Sequence, residues 1–289
     1  MGTAPAMATQ PQLIGCDFSS RPGRRKPIIV AQGTIDDAVV HVRDLLRFES
    51  LNGFGRWLAQ PRCWVGGFDF PFGLPRELVL AMDWPQAWEP CMRHYASLER
   101  PQIRARFAAF CAARPSGGKF AHRQTDRPAG SSPSMKWVNP PVAYMLHAGV
   151  PLLLDAGVCL PGLHPGDASD VDRNGRPRRI ALEAYPGLLA RELIGRQSYK
   201  SDQRARQDLA RMQARGHIVL ALERGQTRLE LGLAMSPGLR DTLLQDGGAD
   251  CLDAVLCLVQ AAWAFTRGWP RYGLPDEMDP LEGWIVSAA

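Results

Sequence analysis

Residues 63–70 read CWVGGFDF and run straight into Pro71. Apart from Asp69 the run carries no polar side chain, and it is too short for a helix. A short run that is apolar on both of its alternating faces, stopped by proline, has the pattern of a strand covered on both sides of a sheet. Strands of that kind need helices on their faces, so the chain reads as a layered α/β domain. Upstream, Ser50–Gln60 has helical spacing and ends before Pro61. Before it lie three candidate strands, Leu13–Phe18, Pro27–Gln32 and Ala38–Arg43, joined by short polar turns as an antiparallel meander.

Downstream the regular alternation stops. Residues 76–147 read as several helices with basic loops, among them Pro101–Arg114, where Ile103, Phe107, Phe110 and Cys111 share a face. A strand returns at Arg179–Tyr185 after the Asn174-Gly175 turn signal. Helices are expected from Pro186 to about Gly195, near Asp202–Arg215, and over Ala249–Thr266. No repeat or flexible linker divides the chain. The expectation is one domain over 12–289, with a mainly helical basic insertion at about 76–150 and a disordered polar leader at 1–11.

The 289 residues are 45% apolar, enough for a sizeable core. Charged residues at 22% and aromatics at 8% exclude a disordered, collagenous or coiled-coil chain. A net charge of +5 excludes a histone-like polycation. Its distribution is more telling: residues 93–136 hold nine basic residues against Glu99 and Asp126, whereas 240–289 hold three basic against eight acidic. The seven cysteines are scattered, with no C-x-x-C pair, and read as buried free thiols of a cytoplasmic protein. The leader has no apolar signal region, and no charge-free stretch is long enough to span a bilayer.

Four carboxylates stand where apolar packing is the norm. Asp17 shares a strand face with Leu13 and Gly15, Asp69 ends the CWVGGFDF run, and Glu183 lies inside an apolar strand. Asp253 opens thirteen uncharged residues, with Asp250 three positions earlier on the same helix face. Each has a plain alternative. Asp69 also reads as a turn acid, Glu183 as an edge-strand residue facing water, and Asp250 with Asp253 as a helix-capping pair. Convergence weakens those alternatives, because two like charges 4 Å apart repel by about 4 kcal/mol at an effective dielectric near 20. Hard divalent cations supply the missing charge, and Mg²⁺ favours carboxylate oxygens.

The order meander, helix, strand, inserted helices and closing helix resembles the ribonuclease H-like fold. Ile14-Gly15-Cys16-Asp17, the run Gly67 to Pro75, Glu183-Ala184-Tyr185-Pro186-Gly187, Asp250-Cys251-Leu252-Asp253-Ala254 and Glu282-Gly283-Trp284-Ile285 resemble the DUF429 family of predicted nucleases. That resemblance spans nearly the whole chain after the leader. Holliday-junction resolvases of the same fold carry carboxylates on the first strand, on the fourth strand and as an i, i+3 pair on the last helix. Asp17, Asp69, Asp250 and Asp253 are similar to that set, and Glu183 is additional to it. The resemblance implies a nuclease activity.

Together these readings give an expected divalent-metal-dependent nuclease. The expected site holds two Mg²⁺ or Mn²⁺ ions, bridged or bound by Asp17 and Asp69 with Asp250 and Asp253 completing the shell, and Glu183 is a further ligand or a water-orienting base. Lys119, His122, Arg123, Arg127 and Lys136 are expected to hold the phosphates of a nucleic acid, with Trp137 stacking on a base. Lys200 follows Glu183 by one helix and reads either as pointing back to the acids or as a surface lysine. The Arg21–Lys26 run reads as a charged hairpin turn. Two other classes compete: a phosphotransferase or ATPase of the related actin and sugar-kinase fold, and a non-catalytic nucleic-acid or protein-binding module. No P-loop, dinucleotide fingerprint or G-x-S-x-G elbow is present.

Overall fold

Leu13–Asp17 is buried residue by residue, and a strand so covered belongs at the centre of a sheet. The computed structural model describes residues 10–288, and among them six strands and ten α-helices are formed. Strand β1 (Gln12–Asp17) pairs antiparallel with β2 (Ile28–Asp36), and β2 pairs antiparallel with β3 (Val39–Phe48). On its other edge β1 pairs in parallel with β4 (Trp64–Phe68), and β4 with β5 (Arg179–Glu183). A three-residue β6 (Gly232–Ala234) adds to β3, giving the order β5-β4-β1-β2-β3-β6 in which only β2 runs the other way. The hairpin between β2 and β3 turns at Asp37 and Ala38, both with positive φ, the backbone a tight hairpin of this twist requires.

Alternation along these strands divides the interior in two. Ile14, Cys16 and Phe68 face one side, where they meet α1 (Leu51–Leu58) and the helices between β4 and β5. Those helices are α2 (Arg76–Ala81), α3 (Trp88–Ser97), α4 (Arg100–Ala112), α5 (Asp126–Ala129) and α6 (Val142–Asp155). Leu13, Ala31 and Val65 face the other side, against α7 (Pro186–Ile194), α8 (Leu209–Glu223) and α10 (Asp250–Arg267). The result is a mixed α/β domain with helices on both faces of the sheet.

Helix α10 is the element that positions the site. Residues Asp250–Ala262 are buried without a break, because the helix lies directly on β1 and β4. Two glycines make that approach possible. A Cβ at Gly15 would stand 2.1 Å from both Ala254 O and Leu258 N, and one at Gly67 would stand 2.5 Å from Cys257 O. Backbone on backbone at this range brings the first turn of α10 over the carboxyl ends of β1 and β4.

Most expected elements appear within a few residues of their limits, with three differences. The charged helix near Asp202–Arg215 begins only at Leu209, since Asp208 caps it by accepting from Arg211 N at 2.9 Å; a 3-10 turn at Arg204–Arg206 precedes it. Strand β6 and helix α9 (Pro237–Gln245) were not foreseen, β6 being too short to show a period. Finally, β5 is no open edge, because Ile285 and Cys159 bridge to it. Of the expected leader, residues 1–9 lie outside the described residues, and Gln12 already belongs to β1. No single helix among the described residues is long and apolar enough to cross a membrane.

Candidate active site

Asp17 ends β1, and Asp69 stands one residue beyond β4, where its N–H donates to Cys16 O at 2.9 Å and prolongs the ladder. Since Cys16 and Phe68 are opposite each other and face the first core, Asp17 and Asp69 are neighbours on the α10 side. Asp250 and Asp253 come from the first turn of α10. Neither caps the helix. Ala249 is the N-cap residue, in the left-handed region, and the capping carboxylate is Asp246, which accepts from Gly248 N at 3.2 Å and Cys251 N at 2.9 Å. With Asp246 in that role, Asp250 and Asp253 are free to face the strand ends.

Two ammonium groups lie among the four acids. Lys26 donates to Asp250 Oδ1 at 2.6 Å and to Asp202 Oδ1 at 3.3 Å. Lys200 donates to Asp253 Oδ2 at 2.5 Å, and the Tyr199 hydroxyl donates to Asp253 Oδ1 at 2.7 Å. Arg215 steadies this loop by donating to Tyr199 O at 2.8 Å. Lys26 is shared between Asp250 and Asp202 and Lys200 serves Asp253, so neither Asp17 nor Asp69 has an ammonium group at salt-bridge distance among the described residues. The lack is sharpest at Asp17: it is 6% exposed, and its Oδ2 has no hydrogen-bond partner among the described residues. An unpartnered buried carboxylate oxygen is costly unless a proton or a cation answers it.

The acid strengths follow from this placement. Burial, followed by the charges of Asp253, Asp250 and Asp69, holds Asp17 well above the ordinary carboxylate range. Burial also pushes Asp69 up to about 7, with Lys200 opposing and Asp253 adding to the rise. Burial alone would pull Lys200 down, but the carboxylates of Asp253, Asp17 and Asp69 hold its ammonium charged well above the usual lysine value. The thiols of Cys16 and Cys257 are driven up, chiefly by burial, and stay protonated. The chemistry here is therefore that of carboxylates and ammonium groups, not of a thiolate.

Glu183 is not part of this cluster's open coordination. Arg123 clasps both its oxygens, Nη2 to Oε1 at 2.6 Å and Nη1 to Oε2 at 2.7 Å, and Phe72 N donates to Oε2 at 2.9 Å. Arg123 also binds Asp126 Oδ1 and Glu282 O, and it is 2% exposed. The readings of Glu183 as ligand, base or water-facing residue are corrected to a framework acid. The reading of Arg123 as a phosphate holder is corrected to its buried counter-ion. The physical reason is common to both, since a buried charge is tolerated only when paired and hydrogen-bonded.

Most of the remaining basic residues gather away from the acid cluster. Lys119 and Arg127 are exposed on a separate groove of about 650 Å³ shared with His122 and Arg114, the last already paired with Glu77. Lys136 is half-buried before α6. Trp137 is half-buried and packs against Phe107 and Phe120 of the insertion's core, with ring centroids 6.4 and 5.5 Å away. Lys200 does point back to the acids. Lys26, which reads in the sequence as part of a charged hairpin turn, reaches the acids because the register Asp17↔Ile29 places the residues just before β2 beside the end of β1, and Tyr199 was not foreseen.

Two cavities flank the cluster. One of about 290 Å³ and one of about 200 Å³ share Asp69, Tyr185 and Lys200 as their partition. Among the described residues, no three Asp, Glu, His or Cys side chains are drawn to metal-ligand spacing, the two ammonium groups lying among the acids. No family model matches this chain, and neither a curated protein nor a solved structure matches it.

Proposed function

We propose that this chain is a divalent-metal-dependent phosphodiesterase, a nuclease on a ribonuclease H-like domain. One observation carries the reading: burial, joined by the nearby carboxylates of Asp253, Asp250 and Asp69, raises the pKa of Asp17, whose buried Oδ2 has no hydrogen-bond partner among the described residues. The central meander with β4 and β5 parallel on the far side of β1 supports the fold assignment. The residues fit Mg²⁺ or Mn²⁺, because the donors are hard carboxylate oxygens and neither Asp17 nor Asp69 has an ammonium partner among the described residues. Asp17, Asp69, Asp250 and Asp253 would hold the metal, which when bound supplies charge neutralisation and a more acidic water at a phosphodiester.

The protein's own groups have definable parts. Asp17 presents an acceptor already stripped of water, so a cation gains its full charge there. Tyr199 and Arg215 fix Asp253 and its loop, which keeps one acid from drifting when the charge at the cluster changes. The Lys200 side chain, 46% exposed at the mouth of both cavities, is placed to donate to a non-bridging phosphate oxygen. Lys26 holds Asp250 and offsets one acid from the strand side.

The test is calorimetric and enzymatic. Mn²⁺ should bind the wild-type protein with measurable heat, and nucleic acid should be cleaved only with divalent metal present. Asp17→Asn should lose at least about 100-fold in cleavage, since even changes to groups that merely support a ligand cost about 10–100-fold. Equal rates for the two proteins would overturn the assignment. Absence of any Mn²⁺ heat would point to a non-catalytic binding module.

A further inference from the structure

We infer that the 290 Å³ cavity beside Asp69 receives one unstacked nucleobase of the substrate strand, which makes single-stranded or unpaired nucleic acid the substrate class. This rests on the phosphodiesterase reading above. The cavity is continuous with the acid cluster, because Asp69 and Lys200 line it. A strand whose phosphate meets those two residues therefore has space on one side for a base. The 200 Å³ cavity beyond Tyr185, bordered by Gly187, Gly195 and Gln197, leaves room on the other side for the chain to continue.

Size and chemistry select a base over a phosphate or a duplex. The volume, about 290 Å³, lies just below the roughly 300–1,000 Å³ typical of small-molecule sites, so it suits one flat ring system. Its walls are Pro71, Pro140, Val142, Met145 and Ile285, with Ser131 and Ser132 as polar points. Arg123 and Glu183 also border it, but each spends its charge on the other at 2.6 and 2.7 Å. No basic group other than Lys200 is left to attract a second phosphate. Val142 and Met145 project from the same face of α6, and a methionine thioether packs well on an aromatic edge. Tyr185 adds an aromatic surface, steadied by the Arg191 guanidinium 5.2 Å from its ring centre and by the 3.0 Å hydrogen bond from Arg191 to its hydroxyl. A base can enter such a pocket only by leaving its stack, which costs least where it is already unpaired.

The experiment compares four substrates with Mn²⁺ present: a single-stranded oligonucleotide, the same strand in duplex, the strand with one abasic position moved along it, and bis(p-nitrophenyl) phosphate, which has no base. Stacking worth about 1–3 kcal/mol per base sets the scale. The single strand should be cut about tenfold or more faster than the duplex. An abasic residue next to the cut bond should lower kcat/KM about tenfold or more, and abasic residues elsewhere should change it less than about twofold. Met145→Trp, which fills the cavity, should lower the ratio of oligonucleotide to bis(p-nitrophenyl) phosphate cleavage by a similar factor. The abasic series uses wild-type protein, so it stands even if that variant folds poorly. A flat abasic series, equal rates on single strand and duplex, or hydrolysis of bis(p-nitrophenyl) phosphate alone would overturn the base pocket and leave the phosphodiesterase reading intact. No hydrolysis of any of the four would remove both.

Discussion

Two charged clusters stand side by side at the carboxyl ends of β1, β4 and β5, and they solve the same problem in opposite ways. Around Arg123, the carboxylates of Glu183 and Asp126 and the carbonyl of Glu282 occupy the guanidinium, and the backbone of Phe72 completes Glu183. Around Asp17, four carboxylates share two lysines, and one buried oxygen is left open. The first cluster ties the insertion and the C-terminal residues to β5, since Glu282 also accepts from Arg76 N and Gln124 N. The second also joins elements, the β1–β2 hairpin through Lys26 and the loop after α7 through Lys200 and Tyr199, both to α10, yet it leaves Asp17 without a partner among the described residues. A saturated buried charge is a structural device, whereas an under-neutralised one is costly until a proton or a cation answers it.

That contrast breaks most sharply under matched substitutions. Asp17→Asn should cost at least about 100-fold in metal-dependent cleavage while the metal-free protein becomes no less stable, because a repulsive charge is removed. Glu183→Gln should do the reverse. It leaves Arg123 short of a buried partner and should lower unfolding free energy by about 3–5 kcal/mol in a urea titration. The Mn²⁺ affinity of the folded Glu183→Gln fraction should stay near the wild-type value. If Glu183→Gln were instead stable and blind to Mn²⁺, Glu183 would belong to the metal site after all.

The pH dependence separates the clusters by a smaller effect. Burial holds both Asp17 and Asp69 above their usual range, Asp69 to about 7 against an ordinary 3.8. Between those values the native state binds more protons than the unfolded chain, so this cluster's contribution to stability falls as pH rises through the window. Without metal, the stability gained by Asp17→Asn over wild type should therefore be larger at pH 8 than at pH 5. Saturating Mn²⁺ should reverse the order of the two proteins at pH 8, because it stabilises only the form that binds it. A difference between them that stayed constant with pH would show that Asp17 carries no unanswered charge.

The sequence disclosed these two clusters unequally. The meander and the strands near 63–70 and 179–185 were readable because buried strands such as CWVGGFDF lack a polar face, whereas the seating of α10 on Gly15 and Gly67 was not. The four aspartates were visible as charges inside apolar runs. Glu183 gave the same signal, yet its meaning depended on Arg123, sixty residues earlier in a loop that reads as solvated. Lys26 reads as a turn charge for the same reason, since tertiary partners decide whether a polar loop residue faces water. Periodicity reports which face is buried, but it does not report what a loop folds over.

The capping pair at the head of α10 offers the finest test, since sequence spacing assigns it wrongly and by a small energy. Asp250 and Asp253 have the separation of a cap and its third residue, but the backbone N–H groups of Gly248 and Cys251 go to Asp246. Asp246→Ala should then cost about 1 kcal/mol of stability, the ordinary value of a capping carboxylate. Asp250→Ala removes a partner of Lys26 but also one of four crowded acids, so the metal-free protein should lose less than the Asp246 variant does. With Mn²⁺ the ranking should invert: Asp246→Ala should keep most of its metal-induced rise in Tm, and Asp250→Ala should lose much of it. If Asp250→Ala were the more damaging change without metal, the acid would be holding the helix and not serving the site.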